Sequence, residues 1–98
     1  MWLETITVRT PELGLLETQL PQLLEQLSKE ASELSLAVYT RYPTNSDLSV
    51  HLVHASPQLQ TSDHGLRLAA ALSSFGTVDH ALWQSVNTTE TSGEKPNA

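Results

Sequence analysis

Apolar residues recur along this chain with two different periods. From Trp2 to Arg9 (WLETITVR) they alternate: Trp2, Glu4, Ile6 and Val8 fall on one side, and Leu3, Thr5, Thr7 and Arg9 on the other. The β-branched run Thr5 to Val8 suits a strand. Thr10-Pro11 then stops it, because proline cannot donate to a central ladder. Further on the period changes. Leu16, Leu20, Leu23, Leu24, Leu27 and Ala31 are spaced by threes and fours, which is one stripe of a helix. Pro21 interrupts that stripe and leaves two readings. In the preferred one Thr18 is the N-cap, Pro21 lies in the first turn where its missing N–H costs nothing, and residues 11–17 are irregular. In the other the helix begins near Pro11 and bends at Pro21.

Alternation returns at Leu34 to Tyr42 (LSLAVYTRY) and again at Leu48 to Ala55 (LSVHLVHA). The turn cluster Pro43-Thr44-Asn45-Ser46-Asp47 between them predicts an antiparallel hairpin with a five-residue loop. Both faces of the second of these strands carry apolar residues, so both faces of the sheet should be largely covered. After Ser56-Pro57, one of Thr61, Ser62 or Asp63 is placed to cap a second helix. Its expected stripe is Leu66, Ala69, Leu72 and Phe75, widened by Leu68 and Ala70 or Ala71. Gly76 stands where a C′ glycine would end that helix. Thr77 to Val86 reads as a fourth strand, with Val78, His80, Leu82 and Gln84 opposed to Asp79, Ala81, Trp83 and Ser85. From Asn87 the chain (NTTETSGEKPNA) has no apolar residue before Ala98 and is expected to be a disordered tail.

The order βαββαβ predicts one α+β domain over residues 1–86 with a ferredoxin-like sandwich: an antiparallel sheet in the order 4-1-3-2, with two helices on one face. The other face would be bare. Either choice of face turns aliphatic or aromatic groups outward, namely Trp2, Ile6 and Val8 or Leu3, and Trp83 and Ala81 or Val78 and Leu82. Packing against a second copy would cover them, so a homodimer through the open sheet face is the expected assembly.

Composition narrows the chemistry. The chain has 98 residues, no cysteine and a net charge of −6, with only five Lys and Arg. Without Cys there is no disulfide framework, thiolate metal site or thiol nucleophile. The basic residues are scattered, so no stripe neutralises phosphates and no nucleic-acid partner is expected. No apolar run approaches the ~20 residues of a membrane span. The N-terminal MWLETITV lacks a basic and then long apolar segment. The expectation is a cytoplasmic protein with no membrane partner. Three other ferredoxin-like groups do not fit: metallochaperones need Cys-x-x-Cys, RNA-recognition domains need aromatic residues in a basic third-strand motif, and acylphosphatases need a phosphate-cradling arginine loop.

The hairpin ending SDLSVHLVH and the run SDHGLRLAAALSSFGTVDHALW carry a family pattern. Apolar residues alternate with Ser and His, then come G-x-x-LA, FG-x-V and a late Trp. In this the chain resembles the dimeric α+β barrel superfamily, which includes antibiotic-biosynthesis-monooxygenase-like domains, and in particular its small uncharacterised bacterial members. The resemblance spans residues 1–86 by element order and the second half by residue pattern. It implies two ferredoxin-like protomers packed sheet against sheet. Monooxygenases of that group use aromatic and His or Asn side chains around a polyaromatic substrate, without a cofactor. No catalytic motif of theirs maps onto this chain residue by residue.

The candidate pocket or interface residues are His51, His54, His80, Trp83, Trp2 and Tyr39. His51 and His54 form an H-x-x-H, but on a strand positions i and i+3 face opposite ways, which disfavours a shared metal. No metal or other cofactor is expected. His80 should stand about 9–10 Å from a third-strand histidine, two ladder spacings away, so that the two line opposite sides of a pocket. The preferred reading of His80 is nevertheless a histidine satisfied by a buried carboxylate or a backbone group. His64, beside Asp63 and Gly65, reads as a solvated residue at a helix start. Trp83, Trp2, Tyr39 and Tyr42 suit core packing or interface anchoring. Acidic residues are dispersed, and no carboxylate pair stands out. The leading expectation is a non-catalytic or small-molecule-binding homodimer with a small apolar ligand. The alternatives are a cofactor-independent monooxygenase-like enzyme acting on an apolar ring, and a protein-interaction module.

Overall fold

A computed structural model describes residues 2–44 and 46–86. The tail expected from Asn87 lies outside the described residues. The elements run β1 (Trp2–Arg9), α1 (Leu13–Glu30), β2 (Ser35–Thr40), β3 (Asp47–His54), α2 (Asp63–Leu72) and β4 (Thr77–Gln84). The strands form one four-stranded sheet in the order β2-β3-β1-β4, the expected 4-1-3-2 read from the opposite edge. All three pairings are antiparallel. The fold is the ferredoxin-type βαββαβ α+β sandwich.

Register decides which face is which. Ile6 lies opposite Val50 and His80, and Val8 opposite Leu48 and Val78. These alternate positions of β1 and β3 are buried, and Leu16, Leu20, Leu27 and Ala31 of the α1 segment join Leu68 and Leu72 of α2 in the same core. The opposite face carries Leu3, Thr5, Thr7, Ser49, His51, Val53, Tyr39, Ala81 and Trp83. Of the two outward choices left by the sequence, the Leu3, Ala81 and Trp83 side is the open one. There Tyr39 and Trp83 are 55% and 58% exposed.

Helix α1 departs from the preferred reading. It runs unbroken from Leu13 and holds Pro21 inside it. Thr18 is not the N-cap: its hydroxyl donates back to the carbonyls of Gly14 at 2.8 Å and Leu15 at 2.9 Å. Packing explains the outcome. An interior proline costs ~3 kcal/mol. Starting the helix only after Thr18 would take Leu16 out of the stripe with Leu20 and Leu27, and burying one leucine is worth about 1.5–3 kcal/mol. Leu16 is fully buried and Leu20 is 6% exposed, so keeping both in phase offsets the proline.

Helix α2 is capped by Ser62, whose hydroxyl accepts from the Gly65 amide. Its buried stripe is Gly65, Leu68 and Leu72, while Leu66 is 51% exposed. Of the expected stripe, Leu72 and Leu68 are buried and Ala69 and Phe75 pack against the core, and Leu66 is the member that turns out to solvent. Gly76 is not a left-handed C′ residue, since no glycine among the described residues has positive φ. Its requirement is space: a Cβ there would run into the Arg9 carbonyl of β1. The hairpin loop runs from Arg41 to Ser46, one residue longer than expected, because β2 ends at Thr40.

Pro21→Ala restores an amide that can donate to the Glu17 carbonyl, at an exposed position of α1. It is expected to stabilise the fold by about 1–3 kcal/mol. The check is a urea titration, in which the midpoint should rise with the slope unchanged; a lower midpoint would contradict this account of α1.

Candidate functional site

The centre of the site is a residue that alternation places among apolar neighbours. Glu4 shares its face of β1 with Ile6 and Val8, and it is fully buried. His54 lies opposite Trp2 in β3, and His80 lies opposite Ile6 in β4. Glu4, two residues from each of those partners, reaches both histidines diagonally across the sheet. Its Oε1 accepts from His54 Nε2 at 2.9 Å, and its Oε2 accepts from His80 Nε2 at 2.5 Å. Ser62 adds two donors, its hydroxyl to Oε1 at 2.8 Å and its amide to Oε2 at 3.2 Å. The same hydroxyl accepts from the Gly65 amide at 3.0 Å, so one side chain caps α2 and fastens it to the sheet. Gly65 rests on the carboxylate, and a Cβ there would overlap Glu4.

A lone buried carboxylate is costly unless paired and hydrogen-bonded. Here burial pushes the Glu4 carboxyl up. The hydrogen bonds from Ser62, His54 and His80, with the charge of His80, outweigh that and hold it below its ordinary value of 4.5. An ionised carboxylate only accepts, so each histidine presents Nε2 as N–H. Among the described residues neither Nδ1 has a hydrogen-bond partner. No group of three His, Cys, Asp or Glu among the described residues is arranged to hold a metal ion.

His54 opens on one side to a cleft of about 330 Å³ where β3 leads into the loop before α2. Leu34 and Ala55 give it apolar wall, and Glu33, Ser56, Gln58, Ser62 and His64 give it polar wall. His64 Nδ1 accepts from Arg67 Nη2 at 3.0 Å, and that nitrogen also pairs with Glu30 Oε1 at 3.0 Å. A smaller groove of about 140 Å³ between the helices is lined by Leu23, Leu27, Leu68 and Ala71, with Gln26, Glu30, His64 and Arg67 at its rim. None of Glu4, His54 or His80 reaches it.

The six candidate residues separate into two groups. His54 and His80 come together on the helix side, joined through Glu4 between them. Trp2 is half-buried on that same side of β1. His51, Tyr39 and Trp83 lie on the open face, where the Tyr39 and His51 rings stand 4.6 Å apart and Trp83 Nε1 donates to Thr5 Oγ1 at 3.1 Å. Sequence reasoning missed Glu4, Ser62 as its donor, and Gly65. The signal for the first was present: an acidic residue at an inward strand position, flanked at i±2 by Trp2 and Ile6.

No protein-family model matches this chain, and neither does any curated protein. Among solved structures the chain is similar to Rv0793 from Mycobacterium tuberculosis, with a TM-score of 0.56 and 15% identity over 90% of this chain and 98% of that one. At that identity the likeness is one of fold: a small α+β protein of the same architecture.

Two predictions follow from the Glu4 cluster. Gly65→Ala should destabilise the fold by about 1–3 kcal/mol, because the methyl group overpacks the carboxylate. Gly14→Ala, with open space around it, should gain up to about 1 kcal/mol from helix propensity. Opposite shifts in melting temperature would show that contact, not propensity, sets the residue at 65. The second concerns acid. The folded state holds Glu4 below its ordinary value, so the unfolded chain binds more protons in that window and stability falls as pH drops from 4.5 through the folded value. Asp47, held down by Arg9, acts in the same direction. In an Asp47→Asn background, the urea midpoint should still fall on acidification below pH 4.5, and adding Glu4→Gln should flatten that slope.

Proposed function

We propose that this protein is a homodimeric domain of the dimeric α+β barrel type that binds a small molecule in the cleft beside His54. The observation that carries the ligand reading is the state of His54 itself. It is 6% exposed, its Nε2 is held by a buried carboxylate, and it forms part of a cleft wall with Nδ1 unengaged. Concave sites with apolar walls and a few fixed polar groups are what small ligands use. The likeness to Rv0793 supports the protomer architecture. The dimer rests on the open sheet face, where Leu3, Val53 and Ala81 lie among the exposed rings of Tyr39 and Trp83. A second copy would cover that apolar surface.

A second reading is a cofactor-independent enzyme acting on an apolar ring substrate. It is favoured by the Glu4–His54 pair, because a carboxylate on one imidazole nitrogen orients the ring and fixes its tautomer.

The test has two arms. Sedimentation velocity should give a dimer that Trp83→Ala weakens, and a strict monomer at high concentration would end the barrel reading. Screening small aromatic fragments by NMR should perturb the His54 imidazole signals, and His54→Ala should abolish binding while Glu4 keeps its contacts to His80 and Ser62. Fragments that shift only open-face residues such as His51 would place the ligand elsewhere.

A further inference from the structure

The cleft holds two histidines whose outer atoms are fixed by different neighbours. His54 gives its Nε2–H to Glu4 at 2.9 Å, so the neutral ring offers a lone pair at Nδ1. His64 has its Nδ1 lone pair occupied by Arg67 Nη2 at 3.0 Å, so its ring proton sits on Nε2. Arg67 is itself anchored on Glu30 of α1 at 3.0 Å. One of these rings therefore keeps an acceptor nitrogen and the other a donor N–H, each set by a contact with a residue outside the cleft lining. Both line the same cleft, together with Leu34 and Ala55 as apolar wall.

We infer that the ligand of this cleft is a hydroxy-carbonyl compound on an apolar body, its hydroxyl donating to His54 Nδ1 and its carbonyl accepting from His64 Nε2–H. This rests on the reading of the cleft as a ligand site and adds the chemical class. A monofunctional alcohol leaves the His64 donor without a partner, and a simple ketone leaves the His54 acceptor without one. A site built for a polar pair discriminates against a molecule lacking one member, because a desolvated group is then left unpaired. Glu33 in the polar wall adds negative charge and weighs against a carboxylate in place of the carbonyl.

The probe is 2-hydroxyacetophenone, with acetophenone and 2-phenylethanol as the versions lacking the hydroxyl and the carbonyl. Binding is followed on the imidazole signals of the full chain. The hydroxyketone should shift both His54 and His64, and each control should bind about tenfold more weakly. His64→Ala, at a partly exposed position, should bring the hydroxyketone down to the level of the alcohol. Nitrogen-15 spectra of the unaltered protein should show the Nε2–H tautomer at both histidines. Equal binding of all three probes with His54 shifted would overturn the donor–acceptor pair and keep the cleft as a ligand site. No shift of His54 with any probe would overturn both. An Nδ1–H tautomer at His54 would overturn the pair whatever binds.

Discussion

The rest of this structure is arranged around one carboxylate that has no access to water. Glu4 sits in the middle of a central strand, on the face that the helices cover, at a position where an aliphatic side chain would be expected. Four donors make its charge tolerable: two imidazoles from the strands on either side, and the hydroxyl and amide of Ser62. These contacts reach from β3 across β1 to β4 and up to the N-terminus of α2. A packed aliphatic residue would hold the layers together at lower desolvation cost. What the polar cluster adds is direction, since each donor meets the carboxylate in only one arrangement of sheet, loop and helix.

That constraint accounts for the local choices in α2. The helix must bring its first turn down onto the carboxylate, so the residue there has to be Gly65. Fixing Gly65 inward fixes Leu68 and Leu72 inward with it and turns Leu66 out to solvent. The same logic of packing over local preference appears in α1. There a proline that would ordinarily end a helix is carried in its interior, because leucines on both sides of it belong to one core.

Strand β3 connects the two surfaces on which the functional reading depends. With a period of two, His54 turns toward the helices and the cleft, while His51 turns toward the open face, its ring tilted against that of Tyr39. An H-x-x-H that on a helix would be one site is here divided between two. The buried member has its ring fixed by Glu4. The outer member sits among the apolar and aromatic side chains that a second protomer would cover. In the proposed function, ligand binding and assembly would use opposite sides of one sheet, so that each could be perturbed without the other.

The sequence by itself determined the number, kind and order of the elements, and with them the sheet order, because periods of two and 3.6 are local and a βαββαβ series leaves few topologies. It also determined that His51 and His54 point apart. It did not determine which face of the sheet would be covered: both faces carry apolar residues, and only the register of β1 against β3 and β4 together with the helix stripes decides it. Nor did it reveal the partnership of Glu4 with His54, His80 and Ser62, residues 50, 76 and 58 positions away along the chain. Glu4 shares its side of β1 with Ile6 and Val8, but which side is inward, and which partners reach it, is decided by strand pairing and helix docking, and no local pattern encodes a contact made across three strands. The continuation of α1 through Pro21 was decided in the same way, by the energy of a shared core that exists only once the chain has folded.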